Sequence, residues 1–178
     1  VFLPGRRRCC AFIIPHLILP LLFLFFSGTR TAGAFTETDN NNYFGSRAGE
    51  SITTGALNSF FGSYSGRETT TGSFNSFVGN AAGYSTTKGL CNSFFGYRSG
   101  FENTVEHYNT FIGYYANLNP GSAPETNPVT NATAIGARAF VSRSNSLVLG
   151  SINKVNGATA DVNVGIGTPA PERQFHIK

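Results

Sequence analysis

The sequence predicts an all-β fold, a parallel β-roll or β-solenoid built from stacked repeats. Three observations predict it: a glycine recurs every 17 residues, two apolar residues precede each of these glycines, and an asparagine lies two positions before the apolar pair. A fixed period of this kind is typical of architectures in which each unit packs on its own copies. A helical repeat is excluded, because glycines interrupt the pattern every few residues and no apolar stripe with i, i+3, i+4 spacing accompanies them.

Residues 1–34 have the organisation of a signal peptide. The segment 6–8 is basic, the run 9–26 is almost wholly apolar, and the small residues 32–34 offer a cleavage site. An uncleaved membrane anchor is the alternative, since the apolar run approaches the ~20 residues that span a bilayer. Two prolines within the run and the small residues after it favour cleavage. We therefore expect an exported chain that begins at Phe35 and contacts a membrane only through this leader.

The charge balance argues against a nucleic-acid partner. The formal net charge is +4, but four of the 13 Lys and Arg residues lie in the predicted leader, which leaves nine against nine Asp and Glu. A nucleic-acid surface needs clustered positive charge, and the sequence after the leader shows no such run. Cys91 is the sole cysteine after the leader, so no intrachain disulfide can form there. Packing, backbone pairing or partner chains must hold the fold together.

Residues 35–117 contain five 17-residue repeats. Their shared glycine column consists of Gly45, Gly62, Gly79, Gly96 and Gly113. We expect each repeat to form a short strand, a glycine turn, a second short strand and another turn, stacked on the next repeat at ~4.8 Å. The glycines allow either a positive φ angle or the close approach of successive coils.

Two apolar columns before the glycines predict two different environments. One column contains Phe60, Phe77, Phe94 and Phe111, and the other contains Phe61, Val78, Phe95 and Ile112. Because neighbouring residues on a strand point to opposite faces, we expect one column to fill the coil and the other to face outward. An outward stripe of large apolar side chains is unusual unless another chain covers it, which favours an oligomer. The alternative is a wide coil, or a neighbouring loop, that hides both columns within one chain.

The asparagine column predicts an amide ladder. Its members are Asn58, Asn75, Asn92 and Asn109. We expect each side chain to pair with the one in the next repeat or to cap a turn, and the alternative is a row of ligand-binding amides. Cys91 shares a column with Leu57, Phe74 and Tyr108, so we interpret it as a small apolar packing residue.

The repeat changes in the second half of the chain. A loop rich in Pro, Asn and Gly is predicted at 118–130, and shorter repeats follow at 131–167, with Gly136 and Gly150 separated by 14 residues. Residues 168–178 are interpreted as a connector or C-terminal extension. Asn131 begins an N-glycosylation acceptor sequence, for which an unmodified polar turn is the alternative.

The stretch NATAIGARAFVSRSNSLVLG, at 131–150, resembles the 14-residue head repeats of trimeric autotransporter adhesins of the YadA-like type. The residues that carry the resemblance are Asn131, Ala134, Ile135, Gly136, Ala139, Asn145, Ser146, Val148, Leu149 and Gly150. The upstream repeats are similar to related 17-residue repeats of bacterial surface and phage tail-fibre-like proteins. The resemblance covers nearly all of the chain after the leader and implies left-handed parallel β-rolls that pack side by side as a homotrimer. One departure is that asparagine lies five residues before glycine in the shorter repeats and four before it in the longer ones.

No catalytic, cofactor-binding or metal-ligating residues are predicted. The acidic residues are scattered through turns without a pairing suited to acid and base catalysis, and no nucleophile motif or metal-binding cluster is present. Four tyrosines are candidates for contact with a glycan or a host surface: Tyr64, Tyr97, Tyr114 and Tyr115.

These observations predict an exported, non-enzymatic structural protein that forms the head or shaft of an adhesive extracellular or cell-surface fibre. One alternative is a self-polymerising filament subunit joined head to tail through its open ends. A second alternative is a carbohydrate-binding or carbohydrate-processing module like those of phage tail fibres, and processing would require carboxylates to meet across a groove.

Overall fold

The computed structural model describes residues 40–118 and 128–177. The predicted leader (1–34) and most of the predicted loop (118–130) lie outside these residues. The described part contains 11 short β-strands and no helix, and so no helix that could cross a bilayer. The strands are β1 (Asn42–Phe44), β2 (Ser59–Phe61), β3 (Ser76–Val78), β4 (Ser93–Phe95), β5 (Thr110–Ile112), β6 (Asn117–Leu118), β7 (Thr133–Ile135), β8 (Phe140–Val141), β9 (Leu147–Leu149), β10 (Val164–Ile166) and β11 (Phe175–Ile177).

Seven of the strands form one parallel sheet in the order β1-β2-β3-β4-β5-β7-β9. Each strand pairs with the equivalent residues of the next repeat, as Phe60 does with Phe77. The same register continues where the repeat length changes, because Phe111 pairs with Ala134 and Ala134 with Val148. The chain thus winds through about six turns of a β-solenoid. The predicted all-β, parallel solenoid fold is confirmed.

Each of the longer coils carries one three-residue strand and not the two that the sequence predicted. After the glycine column, where a second strand was expected, the chain makes a tight turn. Backbone hydrogen bonds join successive coils at this turn, as from Gly66 N–H to the Ala82 carbonyl (2.9 Å). Gly66 and Gly83 have φ angles of +56° and +59°, which are incompatible with an extended strand. A second strand pair, β6 with β8, forms only where Asn117 and Phe140 replace glycine in this column.

The interior of the solenoid is a stack of phenyl rings. Phe60, Phe77, Phe94 and Phe111 are fully buried, and their successive ring centroids lie 4.8, 4.7 and 4.9 Å apart. The ring planes are nearly parallel, within 6° of one another, and Tyr43 continues the stack at 5.5 Å from Phe60. This ring spacing equals the strand spacing of a β-sheet, so one register satisfies both backbone pairing and aromatic stacking.

Two glycine columns are required by this packing. An added Cβ at Gly79 would meet the carbonyl group of Gly96, and the φ angle of Gly79 is +135°, which other residues rarely adopt. An added Cβ at Gly83 would meet the ring of Phe77. The first column therefore lets successive coils approach each other, and the second makes room for the phenyl stack.

The interior narrows where the repeats shorten from 17 to 14 residues. Ala134 and Val148 stand where the longer coils have phenylalanine, and Ala134 and Ala139 are fully buried. A shorter coil encloses less volume, and close packing then requires smaller side chains. The phenyl stack therefore ends at Phe111.

The segment after β9 leaves the main sheet. β10 pairs in parallel with β11 in a separate two-stranded sheet, in which Val164 lies opposite Phe175. A bond from Val162 N–H to the Ser151 carbonyl (3.0 Å) links this segment to the end of the solenoid. The unit that contains Gly167 is thus not an eighth strand of the main sheet, although its glycine lies 17 residues after Gly150.

Candidate interaction faces

The outer apolar stripe is a row of large side chains on the outer face of the seven-stranded sheet. Its members are Phe44, Phe61, Val78, Phe95, Ile112, Ile135 and Leu149. Each follows the inward-pointing residue of its strand, and each exposes 39–61 % of its surface. Strand alternation explains the pattern, since consecutive side chains point to opposite faces of a sheet. Over seven strands the stripe runs ~29 Å at normal strand spacing.

A row of small hydroxyl side chains lies beside the stripe. Its members occupy the first position of successive strands and are half-buried: Ser59, Ser76, Ser93, Thr110 and Thr133. They point to the same face as the stripe because they are two residues away from it on each strand. The outer face therefore combines an apolar ridge with a lower strip that leaves room for another chain.

The asparagine column forms a continuous hydrogen-bond ladder inside the coil. Asn75 is fully buried, and its Nδ2 donates to Asn58 Oδ1 (3.1 Å) and to the Gly89 carbonyl (2.8 Å). Its Oδ1 accepts from the backbone N–H of Asn92 at 2.9 Å and from Asn92 Nδ2 at 3.2 Å. Asn58 makes the same pattern of bonds in its own coil. Since these amides are buried and bonded on both sides, they hold the coils together and offer no group to a ligand.

The ladder ends at Asn109, whose Oδ1 accepts from the Ala132 backbone N–H at 2.9 Å. Asn131 lies one column earlier, on an exposed corner with a φ angle of 52°, and its Nδ2 donates to Asn145 Oδ1 (3.0 Å). The one-residue shift between the two classes of repeat thus reflects two locations, since asparagine is at a corner in the shorter coils and in the interior in the longer ones. Glycosylation of Asn131 stays a prediction.

The corner that precedes each strand carries a second exposed column. Leu57, Phe74 and Tyr108 expose 47, 58 and 61 % of their surface, and Cys91 in the same column is also exposed. The interpretation of Cys91 as a packing residue is therefore wrong. All four residues have left-handed φ angles of 56–61°, which turn the side chain away from the coil while the backbone stays bonded to the previous coil. The Cys91 N–H, for example, donates to the Ser73 carbonyl at 3.1 Å.

A compact group of aromatic rings and guanidinium groups occupies the corner after the glycine column. We call it the Tyr–Arg cluster, and its members are Tyr97, Arg98, Phe101, Tyr114, Tyr115 and Arg138. The guanidinium carbon of Arg98 lies 4.9 Å from the ring centroid of Phe101, and that of Arg138 lies 5.4 Å from Tyr114. The rings of Tyr97 and Tyr114 stack 5.5 Å apart with planes 12° from parallel. These cation–π and stacking contacts join the coils of β4, β5 and β7 at this corner and stabilise their packing.

The Tyr–Arg cluster carries positive charge without a carboxylate partner. Among the described residues, neither Arg98 nor Arg138 forms an ion pair. Arg98 donates to the Tyr115 hydroxyl, its Nε is shielded from solvent without a hydrogen-bond partner in the described part of the chain, and Arg138 donates to the Asn156 carbonyl at 3.0 Å. Tyr97 and Tyr114 expose 42 and 46 % of their surface. The cluster thus presents two partly exposed aromatic rings beside two cations.

The fourth candidate tyrosine, Tyr64, lies apart from the cluster and beside an ion pair. The guanidinium groups of Arg47 and Arg67 each lie 5.8 Å from its ring centroid. Arg67 Nε donates to Glu50 Oε2 at 2.8 Å, and this hydrogen bond lowers the pKa of the Glu50 carboxyl group. Because Glu50 already pairs with Arg67, this region is less suited to an anionic partner than the Tyr–Arg cluster.

Sequence reasoning identified three tyrosines of the cluster but missed its arginines. Arg47 and Arg98 are separated by a whole number of 17-residue periods, and Arg138 continues the same column in the shorter coils. The signal was present in the repeat, but a net charge summed over the chain does not show it. The fold therefore collects on one corner cations that are far apart in the sequence.

Acidic and imidazole side chains near the ladder serve the backbone. The buried Glu106 carboxylate accepts hydrogen bonds from Thr104 N–H (2.5 Å) and Val105 N–H (2.9 Å) and so closes a turn. His107 Nδ1 accepts from the Leu90 N–H at 2.9 Å. No group of three or more His, Cys, Asp or Glu that could hold a metal ion occurs within residues 40–118 and 128–177.

No protein-family model, curated protein or solved structure matches the chain. The resemblance of the repeats to adhesin heads stays a prediction. Among the described residues, the outer apolar stripe and the Tyr–Arg cluster are the two features that bear on function.

Proposed function

We propose that the chain is an exported, non-enzymatic structural protein whose solenoids associate side by side as a homotrimer. The assembled rod forms the head or shaft of an adhesive extracellular or cell-surface fibre. The observation that carries the proposal is the outer apolar stripe, which runs without interruption over all seven strands of the main sheet. A signal-peptide-like leader at 1–34 supports export, and the exposed tyrosines support a role in adhesion.

The size of the stripe supports association. Seven large side chains that expose 39–61 % of their surface leave on the order of 500 Å² of apolar area open to water. At about 25 cal/mol per Å², covering this area would contribute roughly 12 kcal/mol per chain before costs. Association costs roughly 4–15 kcal/mol, so the stripe alone comes close to balancing that cost. Contacts of the adjacent hydroxyl row then decide whether the assembly is stable.

The shape of the stripe favours packing around a common axis. Every coil presents its outward residue at the same register, as Phe61, Val78 and Phe95 do, so the stripe is straight and parallel to the solenoid axis. Straight stripes on several copies can meet along one line without bending the sheets. The number three comes from the resemblance to trimeric adhesin heads.

A mass measurement in solution tests the proposal. We expect the unmodified chain to have the mass of three copies and the variant Phe61→Ser/Val78→Ser/Phe95→Ser to have the mass of one, with an unchanged far-UV circular dichroism spectrum. Ile152→Ser is the matched control, because Ile152 exposes 47 % of its surface outside the stripe. It should leave the mass at three copies. An unmodified chain that remains a monomer at micromolar concentration would refute the trimer.

The alternative of a head-to-tail filament is favoured by a different observation. Within the described part of the chain, β1 and β9 are the edge strands of the main sheet. Such edges template the addition of another strand unless they are covered. Electron microscopy distinguishes the two assemblies: long regular filaments support end-to-end addition, whereas short particles of uniform length support the discrete trimer.

A further inference from the structure

We propose that the Tyr–Arg cluster binds an acidic polysaccharide, a sugar polymer that carries carboxylate or sulfate groups. This names a ligand class for the adhesive role proposed above and rests on that role. It does not depend on the trimer, because the cluster lies at the corner after the glycine column, whereas the outer apolar stripe lies on the face of the main sheet.

The aromatic part of the cluster suits a sugar ring. Tyr97 and Tyr114 are exposed by 42 and 46 % and lie 5.5 Å apart with nearly parallel planes. The flat C–H faces of a pyranose pack on aromatic rings, while a tyrosine hydroxyl can bond to sugar hydroxyls at the rim. The ring of Tyr115 holds this arrangement, since its centroid lies 4.9 Å from that of Tyr114 and 5.7 Å from that of Tyr97. Little side-chain freedom is therefore left to lose on binding.

The guanidinium groups suit the acidic substituents. Arg98 and Arg138 are cations without a carboxylate partner in the described part of the chain, and a planar guanidinium pairs with carboxylate or sulfate through two parallel hydrogen bonds. Glu102, the nearest acid in the sequence, accepts a hydrogen bond from Asn117 Nδ2 at 3.2 Å. Within the described residues, the charge of the cluster is thus not neutralised by a carboxylate.

The extent of the cluster favours a chain of sugars over a nucleic acid. Its residues belong to the coils of β4, β5 and β7, which together span about 10 Å at strand spacing, the length of roughly two sugar units. Non-specific binding of a nucleic acid requires a longer track of cations along the phosphate backbone. On this face the next cation, Arg67, is already paired with Glu50.

Direct titration of the full chain tests the inference. The probes are heparin for sulfate, polygalacturonate for carboxylate, neutral dextran, and single-stranded DNA of matched length. We expect at least one acidic polysaccharide to bind and dextran not to bind. Arg98→Gln/Arg138→Gln and Tyr97→Ala/Tyr114→Ala should each weaken binding by about tenfold or more, the effect of losing one strong contact.

Arg143→Gln is the matched control, because Arg143 is exposed, carries the same charge and makes none of the ring contacts of the cluster. It should change the affinity by less than about twofold. An equal loss in this control, tighter binding of DNA than of either acidic polysaccharide, or no binding above dextran would each overturn the inference.

Two further measurements keep the result interpretable. Hydrogen exchange of the unmodified chain should show protection of residues 97–101 and 114–116 when the acidic polysaccharide is added, and its absence overturns the inference even if the variants fail to fold. Solution mass is recorded on the same samples. A trimer that binds no acidic polysaccharide refutes the ligand alone, and a single chain that binds it refutes the trimer alone.

Discussion

Replacing Phe94 and, separately, Phe95 by alanine removes the same atoms from neighbouring positions of β4, and the two changes should have very different costs. Phe94 is fully buried, whereas Phe95 exposes 42 % of its surface. The pair therefore tests the two environments of the alternating columns within a single strand.

The expected cost at Phe94 follows from its place in the phenyl stack. Its ring lies 4.7 Å from that of Phe77 and 4.9 Å from that of Phe111, so its removal opens a cavity between two rings that the backbone pairing holds apart. Such a site collapses little, and a buried Phe→Ala change costs about 3–5 kcal/mol. At Phe95, full burial would be worth ~1.5–3 kcal/mol, so partial burial predicts a loss of about 1–2 kcal/mol.

Equilibrium urea unfolding followed by far-UV circular dichroism measures both values, at a protein concentration low enough for the chains to be separate. We expect Phe94→Ala to lower the free energy of unfolding by about 1–4 kcal/mol more than Phe95→Ala, as the difference between the two ranges above. At higher concentration, Phe95→Ala should instead weaken association. Equal losses of stability in dilute solution would show that the two columns are buried alike, and the reasoning from strand alternation would fail.

Three further predictions concern stability. Asn75→Ala leaves the Gly89 carbonyl and the next ladder N–H without partners at about 1–3 kcal/mol each, so the urea midpoint should fall, and an unchanged midpoint would contradict the role of the ladder. Gly79→Ala places a Cβ against the Gly96 carbonyl at a φ of +135°; we expect a large drop in melting temperature, and a neutral effect would contradict the close approach of the coils. Burial raises the pKa of the Glu102 carboxyl group, because the folded chain disfavours its charged form. The contribution of Glu102 to folding stability is therefore fully present below pH 4.5 and is lost as the pH rises through the pKa of the folded state. Glu102→Gln should therefore stabilise the chain more at pH 7 than at pH 4, and an equal shift at both would refute the assignment.

The repeat period makes the main sheet predictable from the sequence alone. A 17-residue spacing sets which residues lie side by side, and the alternation of side chains along a strand separates Phe60 from Phe61. Both inferences depend only on local geometry that recurs in every repeat. An atypical residue in one repeat is therefore outweighed by the equivalent residues in the others. The register of Phe60 on Phe77 follows directly.

The corners were not predictable in the same way. The left-handed φ angles at Cys91 and Arg98 arise from backbone bonds to the coil before, and neither residue type favours that conformation by itself. The outward direction of Cys91 and the meeting of Arg98 with Arg138 therefore appear only once the coils are stacked. The overall amino-acid composition gives no information on which residues meet at these corners.

Each asparagine of the ladder donates to the coil before it and accepts from the coil after it, as Asn75 does between Asn58 and Asn92. Each 17-residue coil thus carries both the donor that bonds to the coil before it and the acceptor that bonds to the coil after it. Duplicating or deleting one such coil rejoins the same donors and acceptors, so the rod can grow or shrink in steps of ~4.8 Å with no new contact. The length of such a rod is proportional to its number of repeats. Changes in repeat number in the gene would therefore alter its length while every coil keeps the same interior.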